Sequence, residues 1–265
     1  MALKCSVTKN DLMEGLNNLQ NITNKRGTTL AILSNVLITT SGATLVLTGT
    51  DLEVGLKLSV PAEIMEEGTI TLPSKKLFEI VRESGSDTVT IEETDNSWVI
   101  ITAGKSRYNL AGMPSDEFPE FPEYEEDSFN SFESYIFLDL IDKIIFSIAN
   151  EQENVYSLTS VLFEKEKRDG VSYLKMISSD GHRLSIMEKD VAFDVDDLNL
   201  NDPTLIPKKG IQEIKKFCEG RDTVDISFEE KQLVIRDSDS VMVIRLKKGE
   251  FPQYHAIVNA VAIEN

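Results

Sequence analysis

The second half of the chain is a diverged copy of the first, and this feature constrains the fold more than any other. Five pairs of segments align in the same order, at offsets that drift only between 125 and 135 positions. The pairs are residues 33–37 with 158–162, 50–51 with 179–180, 71–76 with 205–209, 89–91 with 224–226, and 117–121 with 250–254. We therefore predict two tandem copies of one unit, at residues 1–128 and 129–258.

Helical periodicities recur at matching places in both copies. A helix is predicted to open each copy, because apolar residues follow a polar start at helical spacing. These apolar positions are Leu12, Leu16 and Leu19 after Thr8 in the first copy, and Leu140, Ile144 and Ile148 after Asp139 in the second. A second helix is predicted at residues 74–84 and 208–219, where Pro73 and Pro207 stand just ahead, a position that tolerates proline.

The other apolar runs are typical of β-strands. Runs rich in valine, isoleucine and leucine occur at residues 44–48, 97–102, 232–236 and 241–246. Together with the helices they predict the α+β fold class: two tandem copies of a unit in which two helices pack on antiparallel sheet.

An acidic stretch joins the two copies. Residues 114–133 contain eight acidic residues and no basic residue, together with Pro114, Pro119 and Pro122. We predict an extended connector here, with the joint near Ser128. The whole chain has 27 basic and 45 acidic residues and a formal charge of −18. This balance opposes nucleic-acid binding unless the positive charge is concentrated on one surface.

Composition excludes several other classes of protein. The sequence has no run of roughly 18 apolar residues that would predict a membrane span, and no signal peptide, so we expect a cytoplasmic protein. Cys5 and Cys218 lie far apart without a nearby pair of histidines, which predicts neither a disulfide framework nor a zinc site. Both cysteines are expected to be buried apolar residues, and no cofactor is expected.

Several motifs, in the right order, resemble those of one family. Residues 179–184, Ser-Asp-Gly-His-Arg-Leu, closely resemble a segment of the bacterial DNA polymerase III β subunit, the β sliding clamp. Residues 30–33, 47–53, 207–210 and 251–254 also resemble family positions, so the resemblance covers almost the whole chain. It implies a ring-shaped homodimer in which helices line a central hole and sheet lies outside.

The family has a third unit of similar size, whereas this sequence stops soon after the second copy. The resemblance therefore implies that residues 259–265 begin a linker to a missing third domain. Without that domain the family's closing contact cannot form, so we expect weak and easily reversed DNA binding. We also expect the exposed edge of the second copy to pair with another molecule.

The resemblance implies a role in DNA replication. A sliding clamp is a non-catalytic processivity factor that encircles duplex DNA and docks the replicative polymerase, the clamp loader and other proteins through short peptides. The second predicted helix is the more basic one in each copy, which suits weak contact with phosphates and no reading of bases. Basic helix residues and family-matched loop positions make up the predicted DNA-binding set: Lys25, Arg26, Lys75, Lys76, Arg82, Gln152, Tyr156, Lys208, Lys209, Lys215 and Lys216.

A peptide-binding pocket is implied in the second copy. The positions that match the family's pocket are Leu158, Ser179, Gly181, His182, Arg183, Leu184, Pro252 and Ile257. Apolar walls with a few polar groups suit short extended peptides that carry leucine or phenylalanine anchors. The alternative for the apolar members of the set is an ordinary core position.

Two rival functions remain open. One is a repeat-built peptide-binding adaptor with no DNA role, which the basic helices at matching places in both copies disfavour. The other is an enzyme, but Ser179, Asp180 and His182 lie too close on one segment for a hydrolase triad, and the sequence has no glycine-rich phosphate loop.

Overall fold

A computed structural model describes residues 2–23, 30–150, 158–200 and 204–260. The chain divides into two compact units. Unit 1 is Met1–Glu123 with Ser238–Met242, and unit 2 is Tyr124–Asp237 with Val243–Asn265.

Unit 1 contains eight strands and two helices among its described residues. In chain order these are β1 (Lys4–Thr8), α1 (Lys9–Thr23), β2 (Asn35–Ser41), β3 (Thr44–Thr50), β4 (Val54–Glu66), β5 (Thr69–Pro73), α2 (Ser74–Glu83), β6 (Thr88–Glu93), β7 (Trp98–Ala103) and β8 (Ser106–Ala111). The strands pair antiparallel in the order β8-β7-β6-β1-β4-β3-β2-β5. The 13 residues of β4 make this possible, because its first half pairs with β3 and its second half with β1.

Helix α1 lies close against the sheet of unit 1. Its residues Leu12, Leu16, Leu19 and Ile22 are fully buried, as the helical spacing predicts. A Cβ added at Gly15 would lie 2.8 Å from a methyl carbon of Leu47, so any larger residue here would force the Leu47 side chain to move. The helix begins after Thr8, whose hydroxyl accepts the amide of Asp11 at 3.2 Å. This is the predicted capped start.

Unit 2 repeats this order and adds a short helix; β16 is described with unit 2, although its first three residues, 240–242, fall within unit 1 as divided above. Its elements are β9 (Asn130–Glu133), α3 (Ser134–Ile144), β10 (Ser160–Arg168), β11 (Val171–Ser179), β12 (Leu184–Val191), β13 (Thr204–Pro207), α4 (Lys208–Cys218), β14 (Thr223–Phe228), β15 (Gln232–Arg236), β16 (Ser240–Arg245) and α5 (Tyr254–Ala260). Its strands pair in the orders β12-β11-β10-β13 and β16-β15-β14-β9.

The repeat extends to strand pairing, and the predicted α+β fold of two similar copies is confirmed. Strands β10, β11, β12 and β13 pair as β2, β3, β4 and β5 do. An isolated bridge also joins Thr71 to Met113 in unit 1 and Leu205 to Lys247 in unit 2. One difference is that β12, with eight residues, pairs with β11 and not with β9.

The prediction that the helix of the second copy follows Asp139 is wrong. Helix α3 begins at Ser134, and Ile148 lies beyond its end. Asp139 is not a cap, because its carboxylate accepts the Nζ of Lys189 at 2.6 Å. Lys189 belongs to β12, so the sequence around Asp139 gives no sign of this contact.

The predicted extended connector is too long at its carboxyl end. Arg236 of β15 binds the Glu126 carboxylate at 2.6 Å, and its guanidinium carbon lies 3.6 Å from the centre of the Phe129 ring. The Ser128 hydroxyl also lies 2.6 Å from that of Ser227. The end of the acidic stretch is therefore folded onto unit 2.

A chain of phenylalanine rings fills the core of unit 2. Phe163 stacks on Phe137 with ring centres 6.0 Å apart and on Phe228 at 5.3 Å. Phe132 meets Phe137 edge-on at 5.4 Å, so the rings connect helix and sheet.

Cys5 and Cys218 are buried as predicted, and burial raises the pKa of each thiol to about 12.

Candidate functional site

The turn between β11 and β12 presents the residues of the predicted peptide-binding set. Ser179 Oγ accepts the amide of Gly181 at 3.1 Å and donates to the carbonyl of Arg183 at 2.9 Å. Asp180 Oδ1 accepts the amides of His182 and Arg183 at 3.0 and 3.1 Å. Gly181 has a φ of +87°, in the region that favours glycine. The turn is thus fixed by its own side chains and exposes Gly181, His182 and Arg183.

Asp180 also sets the position of the Arg183 side chain. Its Oδ2 accepts Arg183 Nε at 2.8 Å, and the guanidinium lies over the exposed ring of Phe146 at 5.4 Å. The amide of His182 and then the guanidinium of Arg183 hold the pKa of the Asp180 carboxyl at about 2. The carboxylate therefore stays charged at any physiological pH.

An apolar cluster adjoins this turn on one face of the β12-β11-β10-β13 sheet. Leu162, Ile177, Leu205 and Tyr254 are buried there, and the partly buried Leu184, Phe251 and Val258 pack against them. Strand pairing explains the grouping, because residues directly opposite on neighbouring strands share a face. Leu184 begins β12 and so joins the turn to the cluster.

The predicted pocket residues are distributed between this cluster and the surface around it. Leu158 is buried, and a Cβ added at Gly181 would lie 4.0 Å from its Cδ1. Leu184 is half-buried, Pro252 is exposed, and Ile257 on α5 is 51% exposed. The apolar members are therefore not all core residues. No described contact joins Pro252 or Ile257 to the turn.

Tyr254 anchors α5 to the sheet, a role that the sequence did not reveal. Its hydroxyl donates to Glu164 Oε2 of β10 at 2.7 Å. The pKa of the phenol is raised mainly by burial and, to a lesser extent, by this carboxylate. The ring of His255 lies 4.0 Å from the Tyr254 ring. Phe251 and Val258 were also missed. The repeat offers one signal for them, since residues 250–254 align with residues 117–121 and Phe118 packs in the corresponding cluster of unit 1.

Unit 1 contains the same turn, bond for bond. Thr50 Oγ1 accepts the amide of Leu52 at 3.0 Å and donates to the carbonyl of Val54 at 3.2 Å. Asp51 Oδ1 accepts the amides of Glu53 and Val54 at 3.0 and 2.8 Å. Leu52 stands where unit 2 has glycine, with a φ of +72° and a side chain that is 52% exposed.

The predicted basic residues of α2 lie on the exposed side of that helix. Lys75, Lys76 and Arg82 are exposed, whereas Leu77 and Val81 are buried. Arg82 Nε binds the carboxylate of Glu83 at 2.9 Å. The carboxyl end of α2 is capped by Lys9 of α1. Its Nζ donates to the carbonyl of Arg82 at 3.0 Å and also to that of Ser84.

The predicted basic residues of α4 lie on one side of that helix. Gln212 is exposed and sits amid four partly exposed lysines on one side of the helix: Lys208, Lys209, Lys215 and Lys216. The opposite side, including Ile211, Ile214 and Phe217, is buried. This distribution is what the seven-residue spacing of the lysines predicts for a helix. Partial burial lowers the pKa of Lys216.

Four residues of the predicted DNA-binding set lie outside the described residues: Lys25, Arg26, Gln152 and Tyr156. Within the described ranges, His, Cys, Asp and Glu nowhere gather in groups of three that could hold a metal ion. In the same ranges, no helix combines the length and apolar character needed to cross a membrane.

Known proteins match the chain along nearly all of its length. Residues 3–122 match the family model of the DNA polymerase III beta subunit, N-terminal domain, and residues 132–253 match that of its central domain. The β sliding clamp of Chlamydia pneumoniae is 26% identical over 257 residues, which is 97% of this chain and 68% of that protein.

Solved structures give the same match. The Caulobacter crescentus β sliding clamp, with PEG bound to a putative beta-motif tethering region, superposes with a TM-score of 0.88 at 26% identity, over 97% of this chain and 68% of that one. The Bartonella birtlesii sliding clamp bound to griselimycin also gives a TM-score of 0.88 at 26% identity, with the same coverage.

Proposed function

Because this chain belongs to the bacterial β sliding clamp family, the β subunits of DNA polymerase III, we propose that it serves as part of a clamp that encircles duplex DNA. In that role it confers processivity on the replicative polymerase and has no catalytic activity of its own. The compartment for this role is the cytoplasm, at the nucleoid.

One observation carries the DNA part of the proposal. Both units place two lysines in the first turn of their second helix, Lys75 with Lys76 on α2 and Lys208 with Lys209 on α4, and neither turn contains an acidic residue. The amino end of a helix carries a partial positive charge. Acidic residues therefore stabilise this end, and lysines destabilise it. A repeated arrangement that costs stability supports a functional reason, and contact with phosphates supplies one.

The charges of the described residues also support contact that is weak and independent of sequence. Lysine and arginine bind phosphate oxygens, and such contacts do not distinguish one base pair from another. Acidic residues elsewhere are partly neutralised within the protein, as where Lys167 binds Asp194 at 2.6 Å and Asp196 at 3.3 Å. The acidic surplus disfavours DNA binding over the rest of the surface.

We propose further that unit 2 docks partner peptides on the turn at residues 179–183 and the apolar cluster beside it. Leu184 and Ile257 offer apolar contact, and Arg183 and His182 offer polar contact at its rim. The relatives from Caulobacter crescentus and Bartonella birtlesii were solved with a bound ligand, in the first case at a putative tethering region. The partners in this proposal are the replicative polymerase, the clamp loader and other proteins with short clamp-binding peptides.

The organisation proposed for the chain has two clamp domains, at residues 1–128 and 129–258, in a subunit of a ring-shaped homodimer; helix α5 continues past the predicted end of the second domain to Ala260. The matching order of β1–β8 and β9–β16 supports the two domains.

Retention on circular DNA tests the clamp function. The full natural protein is placed on nicked circular duplex DNA by a clamp loader and separated from free protein by gel filtration at moderate salt. We expect it to remain with the circle and to dissociate when the circle is linearised, because only a closed ring is held by topology. Equal retention on circular and linear DNA would contradict the proposal.

A further inference from the structure

The carboxylate of Asp142 lies against the lysine side of α4. Its Oδ1 is 2.6 Å from Lys215 Nζ, with the two side chains 53% and 33% exposed. Asp142 belongs to α3, which packs beside α4. Its hydrogen bond to Lys215 raises the pKa of the ammonium, so the lysine is fully charged but paired within the protein.

Lys208, at the other end of α4, is bound differently. Its Nζ donates to the Asn150 side-chain oxygen at 3.0 Å and to the carbonyl of Ile148 at 3.3 Å. Both acceptors are neutral, so the positive charge of Lys208 is not offset by these bonds. The same helix face thus carries one lysine oriented by neutral oxygens and one neutralised by a carboxylate.

Unit 1 shows a similar division along α2. Arg82, near the carboxyl end of the helix, binds the Glu83 carboxylate at 2.9 Å. No described ion pair involves Lys75 or Lys76 at the opposite end. In both units a cation in the second half of the second helix has a carboxylate partner.

An ion pair of this kind reduces the favourable free energy of contact between the lysine and a phosphate. A lysine already paired with a carboxylate displaces fewer counterions from DNA, so it adds less to binding and to its salt dependence. The Asp142–Lys215 pair is partly exposed and therefore screened, which means that it weakens phosphate binding without abolishing it.

We propose that Asp142 limits affinity for duplex DNA, by holding Lys215 in an ion pair and so weakening phosphate contact at the lysine face of α4. The inference rests on the proposed DNA function and adds a specific residue to it. Weaker contact of this kind suits a protein that must move along DNA, since each phosphate contact has to be released repeatedly.

The test compares Asp142→Asn with a matched control, Asp169→Asn, in the full natural protein. Asp169 lies in the β10–β11 turn with a φ of +51°, a conformation that asparagine also adopts. The two variants change net charge equally. Fluorescence anisotropy with a short labelled duplex DNA is recorded from about 50 to 200 mM salt, where phosphate contacts change affinity steeply.

Asp142→Asn is expected to bind about three- to tenfold more tightly than Asp169→Asn at the lowest salt, with a salt slope steeper by about 0.9. Lys215→Gln in the Asp142→Asn background should remove the gain, so that this double variant, which has the same net charge as the wild type, binds about as tightly as the wild type. Two results would overturn the inference while the DNA function stands: equal affinities of the two asparagine variants, or a double variant that binds as tightly as Asp142→Asn alone. If neither the wild type nor any variant binds duplex DNA at low salt, both the inference and the proposed function fail.

Discussion

Leu52 and Gly181 occupy the same position in two copies of one turn, with φ angles of +72° and +87°. In each turn the preceding hydroxyl residue and aspartate accept the same three amides. The backbone conformation is therefore imposed by side chains that both copies share. Glycine adopts it without strain, whereas leucine does so at a cost of about 1 kcal/mol or more.

Substitutions at this position are expected to have opposite effects in the two units. Leu52→Asn should raise the free energy of unfolding by about 0.5 kcal/mol, because asparagine tolerates a positive φ better than leucine does. Gly181→Ala should lower it by about 1 kcal/mol, since it introduces a Cβ at a positive φ. Urea unfolding measures both changes, and a loss of stability in Leu52→Asn would show that the leucine side chain contributes more than its strain costs.

Stability should depend on pH through Asp180. An aspartate carboxyl in an unfolded chain titrates near pH 3.9, and in the folded turn its pKa is about 2. The stabilisation is therefore fully present above about pH 4 and disappears as the pH falls through 2. Asp180→Asn should show a smaller loss of stability over that range than the wild type. The exposed Asp190→Asn serves as control, and an Asp180→Asn profile that matches the wild type would be the contrary result.

Phe163 is expected to be a costly ring to remove from unit 2, since it is fully buried and stacks on two other rings. Phe163→Ala should destabilise the protein by about 3 to 5 kcal/mol, from the loss of buried apolar surface and the cavity that remains. The exposed Phe146 provides a comparison, because Phe146→Ala should change stability by no more than about 0.5 kcal/mol. Thermal unfolding followed by circular dichroism distinguishes the two, and similar shifts for both would contradict the assigned packing.

The first-turn lysines of α2 should contribute to DNA binding. Lys75→Gln combined with Lys76→Gln is expected to reduce the salt slope of duplex binding by about 1.8, or about 0.9 for each phosphate that is no longer neutralised. Lys105→Gln, at the exposed turn between β7 and β8, removes a charge elsewhere and should have a smaller effect. If Lys105→Gln alone lowers the slope as much as the double change does, net charge and not the helix face determines binding.

Ile257 should contribute to peptide docking. Ile257→Ser is expected to weaken binding of a synthetic peptide with leucine and phenylalanine anchors by about fivefold, or roughly 1 kcal/mol. Val171→Ser offers a control, because Val171 is also exposed but lies at the start of β11, at the end of the strand away from the turn at residues 179–183. Isothermal titration calorimetry measures both affinities. Unchanged affinity in Ile257→Ser would place the peptide elsewhere.

Features that depend on nearby residues were predicted from the sequence, and features that depend on distant partners were not. The start of α1 was predicted because Thr8 and Asp11 lie within one turn of each other. The start of α3 was misplaced because Asp139 resembles a cap and is in fact held by Lys189, 50 positions away. The lysine side of α4 follows from helical spacing, but its neutralisation by Asp142 depends on a neighbouring helix.

The length of β4 determines how the two halves of unit 1 respond to local opening. One continuous strand of 13 residues carries hydrogen bonds to β3 and to β1, so fraying at one end disturbs the amides of the other. In unit 2, β12 ends after eight residues and pairs with β11 but not with β9. We therefore expect the amides of β3, β4 and β1 to exchange as one cooperative block, a coupling that β12 does not provide in unit 2.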